Sequence, residues 1–320
     1  MALIPSRDWL ERNQLLCYLL AIALGWLLGV AQPQWVPVLD ALGWPLLAAL
    51  LFATFAQTPV AALPQALRNR PLLLTLLIGN FVAIPLVVAM LLPLAGPLPA
   101  VQLAVVLVLC VPCTDWFITF TASAGGDVPS AVAWTPLSLL LQLLLLPLYA
   151  HWLLQADVAQ LLWQPRVIGA AVLLILLPLT LAWLLQRCAR GRPMLQRRLA
   201  QTGWWPVPLL ALVIVLAAAG QPQAIMQAHA RLWQPLLVFA LFAALTVPLA
   251  WLLARLARLP MAQSRTLLIS LATRNSFVML PLAWALGDAF ALTRTTIVLQ
   301  SVVELLAIVL LAALARRLFP

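Results

Sequence analysis

Two short polar islands carry most of the chemistry this sequence offers. The first is Pro112-Cys113-Thr114-Asp115, inside the apolar run VLVLCVPCTDWFITF; the second is Arg274-Asn275-Ser276-Phe277, inside LISLATRNSFVML. One holds a thiol, a hydroxyl and a carboxyl in a row, the other a guanidinium, an amide and a hydroxyl. Ionisable groups within such runs are costly unless they line a polar site. Pro112 removes a backbone donor and disfavours helix in the residue before it, so the helix is expected to break around residues 111–114. A helix restarting at Thr114 or Asp115 would aim its positive end into the break. Asn275 and Ser276 are equally good helix-capping types. Groups of this kind suit reversible binding of a small solute. Cys113, Thr114, Arg274, Asn275 and Ser276 are the candidate binding residues. Asp115 and Arg274 read as a pair across the two islands, either functional or a structural ion pair that fixes their geometry.

The surrounding chain dictates where such islands must sit. The protein is 65% hydrophobic and 8% charged, with a mean hydropathy of +1.07, which excludes a water-soluble domain of 320 residues. Apolar runs long enough to cross a bilayer fall at 15–31, 38–55, 72–94, 98–121, 128–153, 167–185, 204–220, 232–253, 267–286 and 292–314. The expected fold is therefore an all-α polytopic membrane protein with ten spans, the fourth and ninth broken. All 18 basic residues are arginine, scattered between these runs, so they act as topology signals rather than as a nucleic-acid surface. With the N-terminus inside, fourteen arginines fall on the cytoplasmic side, Cys188 lying in one of those loops. The opposite side has three, Arg166, Arg231 and Arg294. Both termini are thus expected in the cytoplasm. The exclusive use of arginine points to a GC-rich bacterial genome and an inner-membrane location. Asp8 and Glu11 argue against a cleaved signal peptide.

The two islands are related by an internal repeat. Trp44-Pro45 matches Trp205-Pro206, Ile84-Pro85-Leu86 matches Val247-Pro248-Leu249, and Gly126-Asp127 matches Gly287-Asp288, all at offsets of 161 to 163 residues. Ser138 and Gln142 likewise answer Gln300 and Glu304. The unit holds five spans, an odd number, so the second copy must enter the membrane inverted, a hallmark of secondary transporters. The repeats are expected over 1–156 and 157–320, with spans 3–5 and 8–10 as a core and spans 1, 2, 6 and 7 as a panel. The fourth and ninth spans would cross near the midplane. Glu304 shares a helical face with Gln300 and Thr296, and that face should look into the same cavity. Asp115 and Glu304, with Gln300 beside the latter, are the candidates for ion or proton coupling.

Ten spans in two inverted five-span repeats, with PCTDW at the fourth-span break, RNSF at the ninth and VVEL in the tenth, resemble the bile acid–sodium symporter superfamily. Within it, Cys113 and the pair Val303-Glu304 resemble the arsenite efflux permeases. That resemblance implies efflux of arsenite or antimonite, with Cys113, and Cys110 three residues before it, as transient thiol ligands of trivalent arsenic. The sodium-coupled members carry a Glu about four residues before a Gln-Asn-Ser triplet, and those groups hold sodium; here Ser270 and Arg274-Asn275-Ser276 stand in their places. A fixed guanidinium repels a cation, so coupling to protons is expected rather than to sodium. The arsenite permeases also carry an Arg before the fourth-span Cys, where this chain has Pro112.

A second reading is a cation-coupled symporter of a small organic anion, its carboxylate bound by Arg274 and the two helix N-termini. An enzyme is not expected, since HExxH and GxSxG patterns are absent, and neither is a cofactor or a resident metal, His151 and His229 forming no cluster. The expected partners are the lipid bilayer and a small inorganic or anionic substrate.

Overall fold

The computed structural model describes residues 7–58, 69–114, 116–220 and 232–319. Asp115, Arg231 and His229 lie outside the described residues. The described elements are helices, joined by short turns. In order they are α1 (Arg7–Ala31), α2 (Val36–Gln57), α3 (Arg70–Ile78), α4 (Ile84–Leu91), α5 (Pro99–Leu109), α6 (Trp116–Ser123), α7 (Val128–Leu153), α8 (Ala156–Leu161), α9 (Pro165–Ala171), α10 (Leu177–Ala189), α11 (Pro193–Gln201), α12 (Pro206–Ala219), α13 (Trp233–Leu256), α14 (Met261–Ala272), α15 (Ser276–Ala285) and α16 (Ala291–Leu318). Among the described residues, eight helical stretches are long and apolar enough to cross a membrane, and Pro99–Leu109 and Ser276–Ala285 are shorter apolar helices. The chain is a multi-pass membrane protein.

Proline shapes these helices in two ways. Pro99, Pro165, Pro193 and Pro206 each open a helix, where the missing N–H would have had no intrahelical partner. Pro85 and Pro178 instead follow π-helical turns, Gly79–Ala83 and Val172–Leu176, that widen the helix just before them. Pro85 cannot donate to the carbonyl four residues back. That carbonyl, Phe81 O, accepts the Tyr149 hydroxyl at 2.7 Å, so it is satisfied without water.

Two compact units share the chain. One comprises Met1–Gln57, Trp163–Ala230 and Leu280–Val298; the other comprises Thr58–Leu162, Arg231–Met279 and Leu299–Pro320. In the first, α1 packs along α12, and α2 packs on α12 and α10. The α1–α12 contact depends on Gly25 and Gly29, four apart on one face. A Cβ on either would come closer than 3.0 Å to the α12 backbone at Val215 or Ala219. Small residues at this spacing let two membrane helices approach backbone to backbone. Against the arginine count, Arg294 is no loop residue. It is 2% exposed, its guanidinium lies 4.7 Å from the Trp284 ring centre, and Nη1 meets Asp40 Oδ1 at 2.6 Å. Cys188 likewise belongs to helix α10 rather than to a loop.

In the second unit α13 packs on α14, and α14 also touches α3 and α6. Both expected helix breaks are present. Helix α5 stops at Leu109 and α6 begins at Trp116; α14 stops at Ala272 and α15 begins at Ser276. The strand-like residues between them pair antiparallel, Pro112 opposite Arg274. Cys113 N donates to Thr273 O (3.1 Å) and Asn275 N to Val111 O (2.8 Å). In this pattern the central residues of the pair lie outside the bonded positions, and Pro112 occupies one of them. Asp127 caps α7, its carboxylate accepting from Ser130 N at 3.1 Å and Ser130 Oγ at 2.7 Å.

Gly29→Leu is expected to force α1 from α12, at a cost of about 1–3 kcal/mol or more. Gly169, which has no atom within 4 Å of a built Cβ, supplies the control. Thermal unfolding in detergent should show a lowered midpoint for Gly29→Leu and none for Gly169→Leu.

Candidate functional site

The crossing of the two broken helices gathers most of the polar residues singled out in the sequence. Pro112, Cys113 and Thr114 come from one break, and Arg274, Asn275 and Ser276 from the other; all are buried. Asn275 serves both sides. Its Oδ1 accepts from Val278 N at 3.3 Å, capping α15, while its Nδ2 donates to Thr114 Oγ1 at 3.1 Å. The first residues after the breaks also meet, Trp116 and Phe277 packing edge to face with ring centres 5.1 Å apart.

Helix α16 reaches the crossing through Gln300 and Glu304. Ser276 Oγ donates to Gln300 Oε1, Gln300 Nε2 donates to Glu304 Oε2 at 2.6 Å, and Glu304 Oε1 accepts Arg274 N at 2.9 Å. Both carboxylate oxygens are thus engaged, and Glu304 is 5% exposed. Glu304 holds the backbone amide of Arg274, not its side chain.

The guanidinium turns elsewhere. Nη2 lies 2.6 Å from Ser270 O, 2.9 Å from Leu271 O and 2.9 Å from Asn80 Oδ1, and Nη1 lies 3.3 Å from Leu109 O. Nε has no partner among the described residues, and the Phe242 ring centre lies 5.6 Å from the guanidinium carbon. The three backbone oxygens have a common origin. In unbroken helices they would accept from Cys113 N, Arg274 N and Asn275 N, four residues on. Those amides instead bond Thr273 O, Glu304 Oε1 and Val111 O. The break frees the carbonyls, and the side chain of Arg274 collects them.

Asn80, fully buried in the π turn, is the site residue the sequence reading missed. It donates to Ser270 Oγ at 3.0 Å and to Leu76 O at 3.1 Å while accepting from Arg274. Its signal was available, since an amide in the middle of the run LLLTLLIGNFVAIPLVV needs a partner at membrane depth. Cys110 and Cys113 are not aligned by a common helix. Helix α5 ends at Leu109, before either residue, so the helical three-residue spacing does not apply between them. The Asp115–Arg274 pairing falls on a residue outside those described.

Asn275→Ala removes both the α15 cap and the tie to Thr114, and is expected to cost about 1–2 kcal/mol. Thr114→Val removes the tie and leaves the cap in place, and should cost less than Asn275→Ala. Thermal unfolding of the two variants in detergent orders them.

A search of curated proteins matched none to this chain. The model of the sodium bile acid symporter family matches residues 44–228, more than half of the chain, including Pro112, Cys113 and Thr114 and ending before Arg274. The chain therefore belongs to the sodium bile acid symporter family, a family of membrane transport proteins.

Proposed function

We propose that the protein exports arsenite or antimonite across a bacterial inner membrane in exchange for protons, with both termini cytoplasmic. The observation that carries this reading is the placement of Cys113. It is 4% exposed and sits directly beside the Pro112–Arg274 pairing, with its amide fixed on Thr273 O. Sulfur is a favourable ligand for soft trivalent arsenic. Exchange of one arsenite hydroxyl for the Cys113 sulfur forms an S–As bond and releases water; attack by water reverses it, with arsenic remaining trivalent. Thr114, Asn275 and Ser276 supply hydroxyl and amide groups for the remaining arsenite hydroxyls. The carboxyl groups of Glu304 and Asp115 supply the exchangeable proton, with Gln300 hydrogen-bonded to Glu304.

The chain architecture in this proposal is ten membrane segments in two inverted five-segment repeats, with the repeat boundary at 156/157. Matched breaks in α5/α6 and α14/α15 support it, as do positive backbone φ angles at Gly125 (71°) and Gly287 (74°) after the two second halves. The proposed grouping is segments 3–5 and 8–10 as core and 1, 2, 6 and 7 as panel; one compact unit holds segments 1, 2, 6 and 7 together with Leu280–Val298.

Uptake of a small organic anion with a cation is the second reading, and family membership favours it. The geometry takes one support away: the Arg274 guanidinium is turned to Asn80, Ser270, Leu271 and Leu109 rather than held out for a carboxylate.

Everted membrane vesicles decide between them. Wild type is expected to accumulate arsenite in a way that a proton uncoupler abolishes, with Cys113→Ala and Glu304→Gln each lowering the rate at least about tenfold, equivalent to ~1.4 kcal/mol. Absence of arsenite accumulation, with cation-driven carboxylate uptake into right-side-out vesicles, establishes the second reading instead.

A further inference from the structure

We infer that the Arg274 guanidinium is a tethered monovalent cation, held in an oxygen cage at the C-terminal ends of α5 and α14. The inference is independent of the cargo. Its first support is the identity of the ligands. Three of the four oxygens are last-turn carbonyls, Leu109 O from α5 with Ser270 O and Leu271 O from α14, and the fourth is Asn80 Oδ1. Helix C-termini carry partial negative charge, and two of them converge here. Carbonyl and amide oxygens from broken membrane helices are what a bare monovalent cation would also require.

The second support is the way the guanidinium is used. An arginine that serves as a hydrogen-bonding fork spreads its five N–H groups over matching acceptors, commonly a carboxylate. Here Nη2, with two hydrogens, is crowded by three oxygens, while Nε has no acceptor among the described residues. The carboxylate of Glu304 spends its oxygens on the Arg274 amide and on Gln300. Nη2 thus meets more oxygens than it has hydrogens, a surplus that its positive charge satisfies and a donor fork alone does not.

The cage therefore has its cation built in, and wild type gains nothing from ions in solution at this place. Shortening the side chain leaves four oxygens without positive charge, and a free monovalent cation becomes their occupant.

The test is thermal unfolding of the purified full-length protein in detergent, in choline chloride with sodium, potassium or about 10–50 mM methylguanidinium added. Arg274→Ala is expected to unfold at a lower temperature than wild type and to recover by at least about 3 °C on adding one of the three cations. Wild type and Arg274→Lys, which keeps the charge with a different donor geometry, should not respond. Arg274→Gln should behave as Arg274→Ala. A folded Arg274→Ala that ignores all three cations overturns the inference, and so does an Arg274→Gln as stable as wild type, since hydrogen bonding alone would then suffice. Should the neutral variants not fold, fluorescence size-exclusion of membrane extracts compares Lys with Gln. A folded Lys variant beside a misfolded Gln variant supports the inference. Failure of both overturns it, since charge would not be enough.

Discussion

The crossing is governed by one constraint: backbone polar groups buried away from water must find partners within the protein. Breaking a helix there strands its carbonyls, and breaking two helices at the same place strands twice as many. This protein meets the requirement by exchange. The amides of Cys113 and Asn275 leave their own helices to pair the two breaks, and the carbonyls they abandon are taken up by an arginine side chain from the second break. The local backbone, the buried guanidinium and the position of Glu304 are thus parts of a single hydrogen-bond account.

Around that account, polar side chains act as joints between otherwise apolar helices. Asn80 links the π turn to α14 and to Arg274; Gln300 links α15 to the carboxylate of Glu304. The π turn is itself a response to Pro85, and the widened helix is what carries Asn80. A proline in one helix and a proline in another therefore cooperate, the first shaping the wall and the second opening the break.

How much of this was legible in the sequence varies with the kind of information. The breaks were legible because proline and polar residues in an apolar run are strong local signals, and the 161-residue offset matched one break to the other. The direction of individual side chains was not. Glu304 was expected to face the site, yet nothing in its helical spacing reveals that it grips the Arg274 amide rather than the guanidinium. Asp40 and Arg294 were missed as a pair because they are 254 residues apart and each lies near a span end, where a charge ordinarily meets water. Asn80 was overlooked because a single amide is a weaker cue than a charge. Close approach of α1 to α12 through Gly25 and Gly29 is a matter of three-dimensional fit that composition alone conceals.

The pairing of Pro112 with Arg274 also sets which amino acids the break tolerates. At the unbonded centre of an antiparallel pair, an ordinary residue turns its N–H away from the partner segment. Arg274 does so, and needs a glutamate from a third helix to receive it. Position 112 is just as buried, and proline brings no hydrogen there to be received. Any other residue would add a donor in search of an acceptor, a debt of about 1–3 kcal/mol. The two halves of the crossing thus solve one problem by opposite means, the first by deleting the donor and the second by importing an acceptor. Proline at 112 removes the need for an acceptor there, and the acidic residue at 304 is its counterpart across the pair.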